Sequence, residues 1–168
     1  MGRLHLLLPE IAVTEATSVE EAVKDAPIVT LVTRARQPVL TASMLARGTH
    51  LNAVGAITPE REEFTQDVFA RCDAIAVDMV ESVKSLSAEF RKAFGEGDWS
   101  RVRPLSELVA AKWTRPETAD LTLFKAMGMG LSDLALGIEI LERVKASGGG
   151  RAIPHPKPAQ PRLLRAKT

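Results

Sequence analysis

The chain of 168 residues holds one cysteine, Cys72. One thiol excludes an intrachain disulfide framework and a zinc site built from cysteines. An excess of one charge is missing too: 22 lysines and arginines face 21 aspartates and glutamates, a net charge of +1. That balance offers no electrostatic footprint for nucleic acid or an anionic membrane. The apolar stretch "LHLLLPEIAV" is too short to span a bilayer and is broken by Pro9. Nothing has the layout of a signal peptide, so a cytoplasmic location is expected. No metal-ligand spacing occurs. There is also no GxGxxG; the glycine clusters are "GMG" at 128–130 and "GGG" at 148–150. Neither makes a phosphate-binding arrangement between a strand and a helix: "GMG" begins a helix but lacks the GxGxxG fingerprint.

What is present is a globular composition, 45% hydrophobic and 26% charged, of a length for one ordinary domain. Hydrophobic period, glycine and proline divide it. "IAV" at 11–13 is a short strand candidate. Ser18 with Glu21 three residues on reads as a capping box for a helix ending at Pro27. "IVTLVT" at 28–33 suits a strand covered on both faces, and Thr41 opens a short helix to Ala46. Further strands are expected at about 50–54, 74–78 and 121–126. Further helices are expected over 62–71, about 80–94, 104–112 and 128–145. Trp99 and Trp113 flank the 98–113 segment and are expected to anchor it on the sheet. The end is Pro-rich and basic (Arg151, Lys157, Arg162, Arg165, Lys167) and reads as a disordered tail.

Strands alternating with helices imply a parallel α/β sheet, whose sites lie at the carboxyl ends of strands. Three places qualify: Thr33–Arg36, Gly55–Arg61 and Asp78–Glu81. The middle one follows "HLNAVGAI", where Asn52 interrupts an apolar strand and Gly55 ends it. Without a Cβ, Gly55 lets a flat ligand approach and can take positive φ, while Asn52 and Thr33 offer hydrogen bonds. An Asn satisfied by neighbouring backbone fits Asn52 as well. Asp78 with Glu81 reads either as a carboxylate pair or as a helix cap. His50 reads as a strand-edge packing residue rather than a catalyst, and Cys72 as a small packing residue.

Four blocks, "VEEAVKDAPIVTLVTRARQPVL", "GTHLNAVGAITPEREEF", "AIAVD" and "LTLFKAMGMGLSDLALG", occur in the order and spacing of the ornithine cyclodeaminase/mu-crystallin family. With "GEGDW" between them, the resemblance spans about residues 11–146. It implies an NAD- or NADP-dependent oxidoreductase with a Rossmann domain, homodimeric, acting on amino acids or cyclic imines. Carried to matching positions, it places Thr33, Asn52, Val54, Gly55, Ala56, Arg61 and Ala126 at the cofactor, with Ile57 and Met127 on the substrate side. Asp133 matches a family acid on the last helix.

Two departures shape the expectation. Ile57 stands where cyclodeaminases carry their acid/base aspartate, and isoleucine has no lone pair to take a proton. An imine reductase or amino-acid dehydrogenase is therefore favoured over ornithine cyclodeamination, with no catalytic residue in this chain. The other departure is the front half: the chain starts before the family's third Rossmann strand. The pyrophosphate loop, the substrate-carboxylate arginine and the catalytic lysine would lie in the part that is absent. The fold class expected is α/β, a partial Rossmann-type parallel sheet with flanking helices that lacks the first βα unit. Residues 1–120 form the partial dinucleotide domain; 121–147 return toward the missing domain; 148–168 form the tail. The strands at 28–33, 50–54 and 74–78 are expected to be contiguous, with 28–33 at a bare edge. Alone, the chain is expected to be inactive and to bind no dinucleotide usefully. The alternative is a binding protein, or one half of a split enzyme that recruits a complementing N-terminal chain.

Overall fold

The computed structural model describes residues 10–151, 153 and 154. Most of the basic tail, together with His5 and His155, lies outside the described residues. The helix α1 (Val19–Val23) begins at Ser18, whose hydroxyl accepts from Glu21 N at 3.1 Å. The reciprocal arm goes one residue further out: Glu21 accepts from Thr17 N and Oγ1. "IAV" at 11–13 forms no strand, and Ile11 is exposed.

Five parallel strands follow: β1 (Ile28–Leu31), β2 (Thr49–Ala53), β3 (Cys72–Val77), β4 (Val102–Pro104) and β5 (Leu121–Lys125). Their spatial order is β1-β2-β5-β3-β4. The expected contiguity of 50–54 with 74–78 is therefore wrong, because β5 lies between them. "LTLFK", expected to return toward the missing domain, is paired on both of its edges, with β2 and with β3. The reason is burial: Leu121, Thr122, Leu123 and Lys125 are at most 5% exposed. A strand buried this fully takes a central place, with a neighbour on each edge. Among the described residues β1 has one neighbour, so it is an edge. The chain divides after Met129 into two compact units, which places 121–125 with the sheet rather than with the segment that follows.

β1 also corrects the expectation of two covered faces. Its burial alternates, with Val29 and Leu31 buried but Ile28 and Thr30 exposed. Side chains alternate across a strand, and the register aligns Val29, Leu51, Leu123 and Ile75 on the core face. The opposite face carries Ile28, Thr30, His50, Asn52, Thr122 and Phe124. There the polar groups satisfy one another in a row. His50 Nδ1 meets Thr122 Oγ1 at 2.7 Å, and His50 Nε2 meets Asn52 Oδ1 at 3.1 Å. Asn52 Nδ2 donates to Thr30 Oγ1 at 3.4 Å.

The core face packs on α2 (Asp67–Arg71), α3 (Val80–Leu86) and α4 (Ala88–Phe94) through an aromatic cluster. Phe69 sits edge-on to Phe64, Phe90 and Phe94, with centroids 5.4, 4.8 and 5.1 Å away. The single helix expected over 80–94 is broken at Ser87, whose hydroxyl caps α4 and also donates to Glu89. Trp99 joins the cluster, whereas Trp113 is exposed, so only one tryptophan acts as expected. α5 (Leu105–Ala110) follows β4 directly. At the amino end of the sheet Arg71 holds Asp120 with two bonds, at 2.7 and 3.0 Å, and its guanidinium keeps that carboxyl below the usual range. In the second unit α6 runs from Gly130 to Ala146, with Leu131, Leu134, Ile138 and Leu141 at helical spacing.

Cys72 opens β3 and is buried, its thiol donating to Val68 O at 3.2 Å. Burial pushes that thiol up to about 12. Native protein at neutral pH should therefore alkylate roughly a hundredfold more slowly than protein in urea. Mass spectrometry of timed N-ethylmaleimide reactions checks this, and equal rates would contradict the buried placement.

Candidate functional site at the carboxyl end of the sheet

The loops after β1, β2 and β5 meet at one end of the sheet, and a buried carboxylate joins two of them. Glu63 is fully buried. Its Oε1 accepts from Thr33 N at 2.6 Å and Thr33 Oγ1 at 2.8 Å; its Oε2 accepts from Gly55 N at 2.9 Å and Ala56 N at 3.0 Å. Thr33 Oγ1 in turn accepts from Ala35 N at 3.2 Å. Glu63 is held from behind: its N–H donates to Glu89 Oε1 at 3.0 Å, and its carbonyl accepts from Val39 N and Leu40 N.

Lys125, at the end of β5, is the second anchor. Its ammonium is fully buried, donates to Ala56 O at 2.6 Å and lies 3.9 Å from Glu89 Oε1. Ala56 is thus gripped by Glu63 at its N–H and by Lys125 at its carbonyl. Burial lowers the Lys125 ammonium, with Glu89, Glu63 and Asp78 pulling the other way. A third anchor is Asp78. Its Oδ2 accepts from Met127 N at 2.8 Å and Gly128 N at 2.7 Å, and its Oδ1 from Met79 N at 2.7 Å. Asp78 is therefore no partner of Glu81; it fastens the end of β3 to the loop after β5.

These anchors bring together Thr33, Gly55, Ala56 and, through Asp78, Met127. Val54 and Ala126 are joined by strand-end bonds, Val54 N to Leu31 O and Ala126 N to Ala53 O. Asn52 is not part of the cluster; it lies in the polar row with His50 and Thr30. Arg61 closes the turn 58–61 through its N–H to Thr58 O. Neighbouring Glu60 lies below the usual carboxylate range, first through its bond from Thr58 and to a lesser degree through Arg61 and Arg36. Ile57 is 42% exposed, whereas Met127 is buried.

Gly55 has a reason inside the protein. A Cβ there would collide with Thr33 N, Thr33 O and Glu63 Oε1. Its φ is not among the positive ones, so close approach of the chain, not backbone freedom, requires glycine. The residues that sequence reading missed are Glu63, Glu89 and Lys125. One signal was available: a lysine inside the apolar run "LTLFKA" is costly to bury unless something pairs with it.

Comparison with known proteins follows the same lines. The model of the ornithine cyclodeaminase/mu-crystallin family matches residues 4–148. Delta(1)-pyrroline-2-carboxylate reductase of Bacillus cereus is 27% identical over 137 residues, covering 79% of this chain and 42% of that protein. Ketimine reductase mu-crystallin of Macropus fuliginosus is 31% identical over 118 residues, covering 70% and 35%. The structure of Thermococcus litoralis Delta(1)-pyrroline-2-carboxylate reductase, in complex with NADH and L-proline, superposes with a TM-score of 0.78 at 26% identity. It is covered over 48% of its length, and this chain over 90%. The chain thus spans less than half the length of these relatives.

Proposed function

The chain belongs to the ornithine cyclodeaminase/mu-crystallin family, and on that footing we propose that it builds part of a nicotinamide-dinucleotide site acting on an amino acid or its imine. The observation that carries this reading is the convergence of the loops after β1, β2 and β5 at the carboxyl end of the sheet, where open α/β folds place their ligands. In this reading Thr33, Val54, Gly55, Ala56, Arg61 and Ala126 serve the dinucleotide, and Ile57 and Met127 bound the substrate; Asn52 is left to the polar row with His50 and Thr30. The dinucleotide, when bound, supplies or accepts a hydride. This chain holds a rigid wall of small apolar residues against it and keeps water away.

Ile57 decides the reaction class within that reading. An exposed isoleucine takes no proton, so imine reduction or amino-acid dehydrogenation is proposed over ornithine cyclodeamination. The described residues fit the nicotinamide end and provide no glycine-rich phosphate cradle. We therefore propose that the chain alone is inactive. Fluorescence titration with NADH and NADPH should show no saturation below about 1 mM. Saturation at micromolar dinucleotide would overturn the proposal.

A second reading draws on the edge of β1, which has one neighbour among the described residues, and on the face bearing exposed Ile28 and Val32. An apolar edge strand recruits a further strand or chain, so a second copy or a complementing chain would pair there. Light scattering of the purified chain, alone and co-expressed with the amino-terminal half of a relative, tests this. A monomer that captures nothing argues against it.

A further inference from the structure

Backbone N–H groups converging on one point form a nest for an anion. Such a nest exists where β1 and β2 end: Thr33 N, Gly55 N and Ala56 N, joined by Thr33 Oγ1, all aim at one place. A side chain of the protein itself already fills it. Resting on the reading that this end of the sheet faces a dinucleotide, we infer that Glu63 is an internal anion that fixes the wall and decides which part of a ligand the wall accepts. With every converging donor taken, the wall has no N–H to offer a phosphate. With the Ala56 carbonyl held by Lys125, it turns no free polar group of Ala56 outward either. What remains is the half-buried surface of Val54 and Gly55, with Ala56 packed behind it, which takes an uncharged planar group by contact. Glu63 is thus a positioning residue, acting through the loops it joins.

Its anchorage supports this role over simple space filling. The carboxylate is gripped on both oxygens, and its own N–H is held by Glu89, which Ser87 and Lys125 hold in turn. Both loops are therefore set by one group and shift together if it is lost. A mere packing residue would not need charge.

Amide exchange and chemical rescue test the inference on the chain as it exists. In the wild type, the amides of Thr33, Gly55 and Ala56 should exchange at least about tenfold more slowly in the folded protein than an unbonded loop amide does. Their NMR positions should not move with inorganic phosphate. In Glu63→Ala, exchange at these amides should rise about tenfold, while Leu51 and Leu123 stay within about twofold. Acetate, which restores the missing carboxylate, should reverse the rise; a purely structural loss would not respond to it. Uniform acceleration across the sheet, absence of rescue, or phosphate titrating the wild-type amides would each overturn the inference. Should Glu63→Ala not fold, Glu63→Gln keeps the shape but puts an NH2 donor where one oxygen accepted. Exchange at Thr33 or at Gly55 and Ala56 should then still rise relative to Leu51 and Leu123, and no such rise would overturn the inference. None of these readouts uses a dinucleotide. Failure of the NADH and NADPH titration to behave as proposed is therefore a separate result.

Discussion

Lys125→Met is expected to lower the unfolding free energy by about 3–5 kcal/mol, the usual cost of breaking a buried charge pair from one side. Methionine fills the same volume and buries well, so packing alone predicts little change. What it cannot do is satisfy Ala56 O, which loses its 2.6 Å donor, or face the buried Glu89 carboxylate 3.9 Å away. Urea unfolding followed by tryptophan fluorescence measures the loss, and an unchanged midpoint would show that the ammonium anchors nothing. Adding Glu89→Gln to Lys125→Met should recover about 1 kcal/mol or more, since the second change removes the stranded charge.

The same lysine sets a pH dependence. Its folded pKa lies below the ordinary 10.5, so the folded state binds its proton less tightly than the unfolded chain does. The cost of keeping it charged is fully present below the folded value. That cost is relieved as pH rises from there toward 10.5. Cys72 acts in the opposite sense. Its pKa is raised, so its contribution is complete below 9.0 and is lost as pH climbs through about 12. Removing Lys125 should therefore leave a steeper alkaline decline than the wild type shows.

Gly55→Ala carries the other large effect, about 3 kcal/mol of destabilisation. The added methyl meets backbone atoms of Thr33, which cannot swing aside, and the Glu63 carboxylate that joins the two loops. Relief requires the loop after β2 to part from the loop after β1, which breaks the bonds at Gly55 N and Ala56 N. Gly128→Ala separates this cause from backbone strain. Gly128 has open space around it but a φ of +90°, so its alanine variant should lose only about 1–2 kcal/mol. Equal losses at the two positions would remove the case for close approach at Gly55.

The local order of the chain could be read because it rests on neighbours in sequence. Ser18 and Glu21 announce α1, and β-branched and apolar runs announce β1, β2, β3 and β5. The family blocks are contiguous stretches that keep their spacing, which is why residues 4–148 match one family model. The breaks in these readings are physical as well. Ser87 divides one expected helix because its hydroxyl caps the next, and 62–66 serve as a connection because Glu63 and Phe64 are drawn into the sheet end and the core. β4 is three residues long and shows no period of its own.

By itself, then, the sequence determined the α/β class, the parallel strands, the family and the absence of a proton-transfer group at Ile57. All of these depend on residue type and short-range spacing. Only the tertiary structure decided that β5 enters between β2 and β3, that Asn52 belongs to a polar row, and that Gly55 exists for Thr33 and Glu63. Those facts arise from contacts between residues such as 33 and 63, or 56 and 125, which lie far apart along the chain and meet only when the sheet is assembled.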